Sequence, residues 1–543
     1  MFSLDFRQIH RYSYTYDREV EIIMTSRVNY LDKKTGITYV YESVSYWDKE
    51  KKQARNKRVC VGKLDPDDGT FMPSKRLQPE QAAARDPAVM ASATVVGPTL
   101  ILDKITTQLG LDSLLASCFP KTYQQIRAMA YYLTIQGGPL SHCEGWSKSY
   151  MPDLTTSLTS QRITTILCDI TMDAKQHFCS RWMKKILEDD YVCYDITSIS
   201  SYSEINEYIK YGHNRDLEKL PQLNLAMIFS QKGRLPVYFH QLPGSITDVT
   251  TVFNLLKTFK AMGIRLLRYV MDKGFYSKKN VDNMVTHRQK FTVSVPLHNK
   301  WVQEIIDGIY ENIHGPQGYQ QIEDETLYVH TCLYPWGEEH RRCYVHLYYN
   351  AYARAIAVDR FNANLIGYKQ ELESGILVKE HTEAYNIFFT VKTTPKRGTK
   401  VSYNNQAVSQ HIKRYVGFQV LLTNAIKDPV EALQVYRDKD VVEKCFDDLK
   451  NQLDMNRLRM HTAGAVNGRL FVQFVALIYM SALRQAMRTS GLIKQYTVRE
   501  LLQEMQTLTK VKYTGRYGYI LTELTKSQRN ILSALNIELP TKT

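Results

Sequence analysis

The feature that most constrains the fold of this 543-residue sequence is a change of hydrophobic period near Tyr191. Before that point, apolar residues recur every three or four positions, which is typical of amphipathic helices. After it, short runs of β-branched and aromatic residues predict buried strands that alternate with helices in the order β-β-β-α-β-α-β. Three meandering strands followed by two α/β crossovers imply a mixed sheet with helices on its faces, an α/β fold.

The boundaries of these elements follow from turn and capping residues. Asp248 is predicted to cap the first helix and Ser277 the second, because short polar side chains before an apolar helical run satisfy free backbone N–H groups. The five strands are predicted at residues 191–195, 224–229, 236–240, 265–272 and 291–295.

The composition excludes several classes of protein. The sequence contains 70 Lys and Arg residues and 55 Asp and Glu residues. The resulting net charge of +15 favours a polyanionic partner such as nucleic acid. Nine scattered cysteines form no C-x-x-C pair, which argues against a zinc knuckle and a secreted disulfide framework. The longest apolar run, residues 471–483, is shorter than a membrane span of about 20 residues. We therefore expect a soluble, cytoplasmic protein with no membrane partner.

Patterning along the chain predicts five segments. The connection from residue 297 to 416 is too long for a loop, so we expect it to fold as a subdomain inserted into the catalytic sheet. The predicted segments are a β-rich N-terminal module (1–75), a helical and probable DNA-binding region (76–190), a catalytic core (191–296 and 417–490), a β-rich insertion (297–416) and a C-terminal helical region (491–543).

Two one-sided charge patterns stand out. Residues 47–58, WDKEKKQARNKR, carry six basic and two acidic side chains, which suits either phosphate contact or a solvated hairpin tip. Between Glu383 and Asp428 there are seven Lys and Arg residues and no acid, which favours contact with phosphates.

Three carboxylates are candidates for the chemistry. Asp195 and Asp272 are each predicted at the end of a strand, where loops converge on a site. A helix predicted from residue 429 to about 454 carries Glu443. At about 100° per residue, Tyr436, Lys439 and Lys450 fall on the same stripe as Glu443, and such a polar stripe suits a wall facing a phosphodiester.

The spacing Tyr436-x2-Lys439-x3-Glu443-x6-Lys450 resembles the Y-x2-R-x3-E-x6-K signature of bacterial insertion-sequence transposases of the DDE class. Lys439 stands where that family usually has Arg, so the charge is kept and the bidentate fork is lost. The segments around Asp195 (YDITS) and Asp272 (DKGFYS) also resemble the family, as do GHNRD, PQLNLA and LPGSITD in residues 212–248.

The resemblance implies an RNase H-like core in which Asp195, Asp272 and Glu443 are the catalytic acids. They would hold two Mg²⁺ ions, for which Mn²⁺ can substitute, and the protein would cut and rejoin DNA at the ends of its element. The implied partners are double-stranded DNA, namely the terminal inverted repeats and the target, and a second copy in a homodimeric synaptic complex. The implied setting is the bacterial nucleoid.

The resemblance also implies DNA contacts by Tyr436, Lys439 and Lys450, and we add Arg215 of the GHNRD segment. Similar enzymes stack a flipped base on an aromatic residue of the insertion. Trp336 and Trp301 are candidates for this role, although an ordinary core or surface position is the commoner explanation for each ring.

Two other functions fit parts of the sequence. His411-Ile-Lys-Arg414 matches the H-x-x-R pattern of tyrosine recombinases, with Tyr436 downstream as a nucleophile. A transposase-derived DNA-binding protein without catalytic activity is the second alternative, although all three acids are present.

Overall fold

The computed structural model describes residues 25–48, 51, 53–66, 68–74, 91–187, 190–202, 207–212, 219–246, 248–264, 267–323, 325–394, 398–453, 455, 457–458, 462–513 and 518–539. The chain divides into two compact units, Met1–Ala91 and Ser92–Thr543.

The first unit contains one antiparallel sheet of four strands in the order β1-β2-β3-β4. Val40 and Ser43 of the second strand are buried, whereas most of the third strand is exposed. The strands are β1 (Thr25–Leu31), β2 (Thr38–Asp48), β3 (Gln53–Leu64) and β4 (Phe71–Pro73).

The second unit opens with a short strand and six helices. The side-chain hydroxyls of Thr159 and Thr171 cap the last two helices by accepting the free backbone N–H groups of Arg162 and Ala174. The elements are β5 (Ala91–Val95), α1 (Gly97–Leu109), α2 (Leu111–Cys118), α3 (Tyr123–Ile135), α4 (Cys143–Tyr150), α5 (Ser160–Asp169) and α6 (Met172–Ile186).

The next segment has the predicted order β-β-β-α-β-α-β. The Ser277 side chain caps the second helix by accepting the N–H of Asn280, as predicted, whereas Asp248 is the first residue of its helix. The elements are β6 (Tyr191–Ser201), β7 (Gln222–Ser230), β8 (Pro236–Pro243), α7 (Asp248–Ala261), β9 (Arg268–Met271), α8 (Lys278–Thr286) and β10 (Lys290–Ser294).

The interval from 297 to 416 differs from the β-rich insertion that we expected. Its first half joins the main sheet, while its second half is mostly helical with a two-stranded hairpin and a small separate apolar cluster around Leu365, Phe389 and Val401. The elements are α9 (Lys300–Ile309), β11 (Tyr319–Ile322), β12 (Glu325–Trp336), β13 (Arg341–Tyr349), α10 (Ala351–Ser374), α11 (Thr382–Phe388), β14 (Phe389–Thr394), β15 (Gly398–Tyr403) and α12 (Asn405–Arg414).

The chain then returns to the sheet through β16 (Phe418–Thr423), which pairs with both β10 and β13. The path of the mixed sheet is β11-β12-β13-β16-β10-β9-β6-β7-β8, with the short β17 (Arg457–Leu458) beside β6. Strands β9 and β17 run parallel to β6, and β10 runs parallel to β9, so the prediction of a mixed sheet is confirmed.

The remaining elements are α13 (Pro429–Arg437), α14 (Asp440–Asp447), α15 (Ala463–Thr489), α16 (Val498–Glu504), β18 (Thr509–Tyr513), β19 (Tyr519–Leu521) and α17 (Lys526–Ala534). The region after residue 490 is therefore not purely helical as predicted, because β18 and β19 form a small sheet with β5.

Helix α15 is the central element of the core. In the part of the chain that the structure describes, it alone is long and apolar enough to cross a membrane, but 94% of its most apolar window is buried inside the protein. This agrees with the predicted buried helix. Gly468 lets α15 approach α5 closely, since a Cβ there would lie 2.1 Å from the carbonyl oxygen of Leu167.

This contact generates a stability prediction. Gly468→Ala forces a methyl group against the backbone of α5, so we expect the free energy of unfolding to fall by about 1–3 kcal/mol in a denaturant titration. Gly464→Ala is the matched control on the same helix, because its Cβ would lie 3.6 Å from Cys168 Sγ, an ordinary contact. That variant should be unchanged or more stable by up to about 1 kcal/mol. Equal losses in both variants would contradict the proposed close approach.

Candidate active site

Two aspartates are brought together by the register of parallel strands. Tyr194 of β6 lies opposite Met271 of β9, so Asp195 and Asp272 occupy the next matching positions. Neighbouring strands are about 4.8 Å apart, which places the two carboxylates side by side. Asp195 lies within β6 rather than at its end as predicted; the strand that ends here is β9, which opens space beside it.

Tyr436 connects the end of α13 to this pair. Its hydroxyl donates a hydrogen bond of 2.7 Å to Oδ1 of Asp272, and its side chain is only 8% exposed. Burial raises the pKa of Tyr436, and the adjacent Asp272 carboxylate raises it further. The prediction that Tyr436 contacts DNA therefore does not fit this structure, because the ring is buried and its hydroxyl orients Asp272.

The state of Asp272 reflects these contacts. Burial raises the pKa of its carboxyl group, but the Tyr436 hydrogen bond, the Lys273 backbone N–H and the charges of Lys439 and Lys273 together outweigh burial and lower the pKa below its usual value. Asp272 is therefore ionised at neutral pH, as a carboxylate that holds a cation must be.

Lys439 lies among the three candidate acids. Its Nζ donates a 2.9 Å hydrogen bond to Oε1 of Glu443, and its side chain is 18% exposed compared with 59% for Glu443. Burial lowers the pKa of Lys439, yet the Glu443 hydrogen bond and the charges of Asp272, Glu443 and Asp195 raise it overall. One ammonium group thus interacts with all three carboxylates.

The three carboxylates do not, however, form a ready metal site. Within the residues that the structure describes, no group of three or more His, Cys, Asp or Glu side chains is arranged to hold a metal ion. The expectation that they converge to within shared-metal distance is therefore not met here. Glu443 instead forms an ion pair with Lys439, whose positive charge offsets the repulsion among the acids.

The helix that carries Glu443 is interrupted, whereas the sequence predicted one continuous helix. Helix α13 ends at Arg437, α14 begins at Asp440, and Asp448–Gln452 forms a π-helical turn. A π turn contains more residues than an α turn, so the 100° spacing that placed Lys450 on the Glu443 stripe does not hold there. Lys450 lies in the π turn and is half-buried.

A buried ion pair anchors this π turn. The guanidinium of Arg484 on α15 binds both carboxylate oxygens of Asp448 at 2.6 Å. Burial raises the pKa of Asp448, and Arg484 only partly offsets this effect. Sequence reasoning missed this pair, although a charged residue between the apolar residues Cys445 and Leu449 was an available signal.

An open cleft adjoins Asp272. It has a volume of about 740 Å³, and its lining includes Asp272, Tyr436, Ser294, His298 and Gln419. The cleft is large enough to admit an extended ligand next to Asp272.

The other predicted DNA contacts have different outcomes. Arg215 lies outside the described residues. Trp336 is only 5% exposed, and its indole N–H donates to Oδ1 of Asp282, while Trp301 packs on it edge-to-face and donates to the Tyr276 hydroxyl. Trp336 is therefore a core residue, and its ring is not available to stack on a base.

The arrangement also disfavours a tyrosine recombinase. His411 stacks on Phe361 in the insertion, with ring centroids 4.3 Å apart, whereas the Tyr436 hydroxyl is bound to Asp272. A buried tyrosine with a raised pKa beside a carboxylate is a poor nucleophile.

Comparison with known families settles the class. The family model described as "Transposase DDE domain" matches residues 187–479, more than half of the chain. This chain belongs to the DDE transposase family. The matched range contains Asp195, Asp272 and Glu443, and the membership confirms the DDE-class part of the resemblance found in the sequence.

This DDE transposase also has a distant structural similarity to a solved transposase. Among solved structures, it is similar to the piggyBac transposase in a cryo-EM synaptic complex with hairpin DNA, at 10% sequence identity and a TM-score of 0.38, over 76% of this chain and 77% of that one. None of the curated proteins matches the chain.

The Tyr436–Asp272 bond generates a pH-dependent prediction. Tyr436→Phe should lower the free energy of unfolding by about 1.5–3 kcal/mol at pH 7, since hydrogen bonds to charged groups contribute about that much. The pKa of Asp272 is lowered by folding, so this contribution is present above the ordinary pKa of 3.8 and is lost as the pH falls below it. Denaturant titrations of both proteins at pH 7, pH 5 and below pH 3.8 measure how the difference in unfolding free energy depends on pH.

Tyr348→Phe is the control for that series. Its hydroxyl donates to the backbone carbonyl of Pro429, at the start of the same helix, so its cost should not depend on pH. A pH-independent loss in Tyr436→Phe as well would show that the bond does not favour the ionised form of Asp272.

Proposed function

We propose that this DDE transposase is an active enzyme of a bacterial insertion sequence, which cuts DNA at the two ends of its element and joins those ends to target DNA. The observation that supports this most is the placement of Asp195 beside Asp272, with Glu443 linked to them through Lys439. The partial match to the Y-x2-R-x3-E-x6-K signature, with Lys439 in the Arg position, supports the assignment to insertion-sequence enzymes.

The proposed catalytic core is RNase H-like. It comprises the five strands β8-β7-β6-β9-β10 and helix α14, which carries Glu443. Strands β9 and β10 run parallel to β6. The interval between β10 and β16 is the proposed insertion, which shares its first strands with the core sheet and carries a basic, acid-free hairpin region.

The donor set fits Mg²⁺, and Mn²⁺ as its substitute. Carboxylate oxygens are the hard ligands that these ions prefer, and Asp195 and Asp272 present them at adjacent positions. Asp195, Asp272 and Glu443 would hold two ions, which when bound activate the attacking water or DNA 3′-hydroxyl and stabilise the leaving oxygen. Glu443 is the most exposed of the site residues described above and has to release Lys439 to join the other two acids.

The remaining residues of the site position these acids and the DNA. Tyr436 holds Asp272 in one orientation through its hydroxyl. Once Glu443 is released, the ammonium of Lys439 is free to contact a phosphate of the bound strand, and Lys450 supplies a second cation in the π turn. The Asp448–Arg484 pair fixes the turn itself.

The proposed partners follow from the proposed reaction. They are the terminal inverted repeats of the element, the target duplex and a second copy of the chain, since two ends have to be cut and joined together. The net charge of +15 suits a protein that works on DNA in the bacterial cytoplasm.

The test is cleavage of end DNA by the purified protein in Mg²⁺. Asp195→Ala, Asp272→Ala and Glu443→Ala should each lower the cleavage rate by at least about a thousandfold, because each removes a metal ligand, while DNA affinity stays near that of the unaltered protein. Asp440→Ala is the matched control, since it removes an exposed carboxylate from the same helix as Glu443.

The outcomes separate the alternatives. Near-native cleavage by any one of the three variants would remove that residue from the proposed triad. DNA binding by the unaltered protein without metal-dependent cleavage would instead support a DNA-binding protein derived from a transposase.

A further inference from the structure

The N-terminal unit contains a two-stranded ribbon that extends beyond its sheet. Strands β2 and β3 pair as far as Asp48 and Gln53. Within the described residues of this unit, β1 pairs with β2 only up to Val44, and β4 pairs with β3 only at residues 62–64. We call residues 45–48 and 53–58, the two strand ends beyond this pairing, the β2–β3 ribbon.

The ribbon is strongly basic and exposed. In the sequence, residues 45–58 contain six Lys and Arg residues against two acids, a net charge of +4 over fourteen residues, and three of these cations, Arg55, Lys57 and Arg58, lie on β3 of the ribbon. Every side chain from Gln53 to Arg58 is exposed. Because side chains alternate along a strand, Arg55 and Lys57 lie on one face and Arg58 on the other, so both faces of the ribbon present positive charge.

The ribbon also presents ordered groups that can form hydrogen bonds. The Ser45 hydroxyl donates to Oδ1 of Asn56 across the strands at 2.7 Å, which fixes the orientation of that exposed amide. Tyr46, which lies opposite Arg55, is 49% exposed. An amide and a phenol between basic side chains can form hydrogen bonds with base edges or with the sugar–phosphate backbone.

These features fit one class of partner. The major groove of B-form DNA admits a two-stranded β-ribbon, and basic residues on both faces of such a ribbon can meet the phosphate strands on either side of the groove. We propose that the β2–β3 ribbon of the N-terminal unit docks into a groove of duplex DNA and supplies affinity that is independent of the catalytic acids. This proposal rests on the proposed function in one respect, namely that DNA is the substrate of the protein.

A non-binding role would have different consequences. Lysines on uncovered strands also prevent edge-to-edge association of sheets. In that case, neutralising the ribbon would promote aggregation and leave DNA affinity unchanged.

The experiment uses the full chain and a short DNA duplex of arbitrary sequence, with affinity measured by fluorescence anisotropy over a series of salt concentrations. The test variant is Arg55→Gln/Lys57→Gln/Arg58→Gln. The control variant, Lys33→Gln/Lys34→Gln/Lys63→Gln, removes the same charge from exposed positions of the same unit that lie off the ribbon. Circular dichroism and light scattering verify that both variants are folded and monodisperse.

We expect the test variant to bind the duplex at least about tenfold more weakly near physiological salt. The slope of log K against log[salt] should fall by about two to three, since each lost phosphate contact contributes about 0.9. The control variant should change the slope by less than about one. Equal losses in the two variants, or no loss in the test variant with or without aggregation, would overturn the proposal.

A cleavage assay distinguishes failure of the ribbon proposal from failure of the proposed function. At protein concentrations that saturate the DNA, the ribbon variant should cut end DNA at the rate of the unaltered protein. If the unaltered protein does not cut DNA at all, the proposed function fails, and the affinity comparison still decides whether the ribbon binds the duplex.

Discussion

Electrostatic repulsion among three carboxylates is the constraint on which this site depends. The parallel register of β6 and β9 fixes Asp195 beside Asp272, and two adjacent negative charges need positive charge nearby. In this structure, Lys439 supplies it and at the same time binds Glu443. In the proposed function, divalent ions would offset the same repulsion in place of Lys439. The hydrogen bond from Tyr436 limits the freedom of the Asp272 carboxylate.

The surrounding fold can be understood as support for that arrangement. Helix α15 lies buried in the core and sends Arg484 to Asp448, so the π turn next to the Glu443 helix is fixed from behind by a buried ion pair. Strand β16 returns the chain from the insertion and forms hydrogen bonds with β10, after which α13 carries Tyr436 to Asp272. The long excursion between β10 and β16 is thus tied to the sheet at both ends.

Periodicity and capping were sufficient to predict the order of strands and helices from Tyr191 to Val295, because each element there is short and buried and has clear turn signals. Strand ends and the polar helical stripe drew attention to Asp195, Asp272 and Glu443, but their role as catalytic acids was implied only by the family resemblance and stays a prediction. Periodicity could not predict the break at Asp438 or the π turn, since both depend on tertiary contacts such as the Asp448–Arg484 pair. Nor could periodicity show that β12 and β13 extend the core sheet, because strand pairing between distant segments leaves no local pattern. For the same reason it could not show that Trp336, at the end of β12, is buried.

The most direct test of the central claim is to locate the divalent ions by chemistry that reports distance. Iron(II) bound at a magnesium site generates hydroxyl radicals in the presence of ascorbate and peroxide, and these cut the peptide chain close to the metal. The account predicts cuts around residues 195, 272 and 443, all of which are suppressed by excess Mg²⁺. Cuts near Asp195 and Asp272 without one near Glu443, or cuts confined to other parts of the chain, would contradict it.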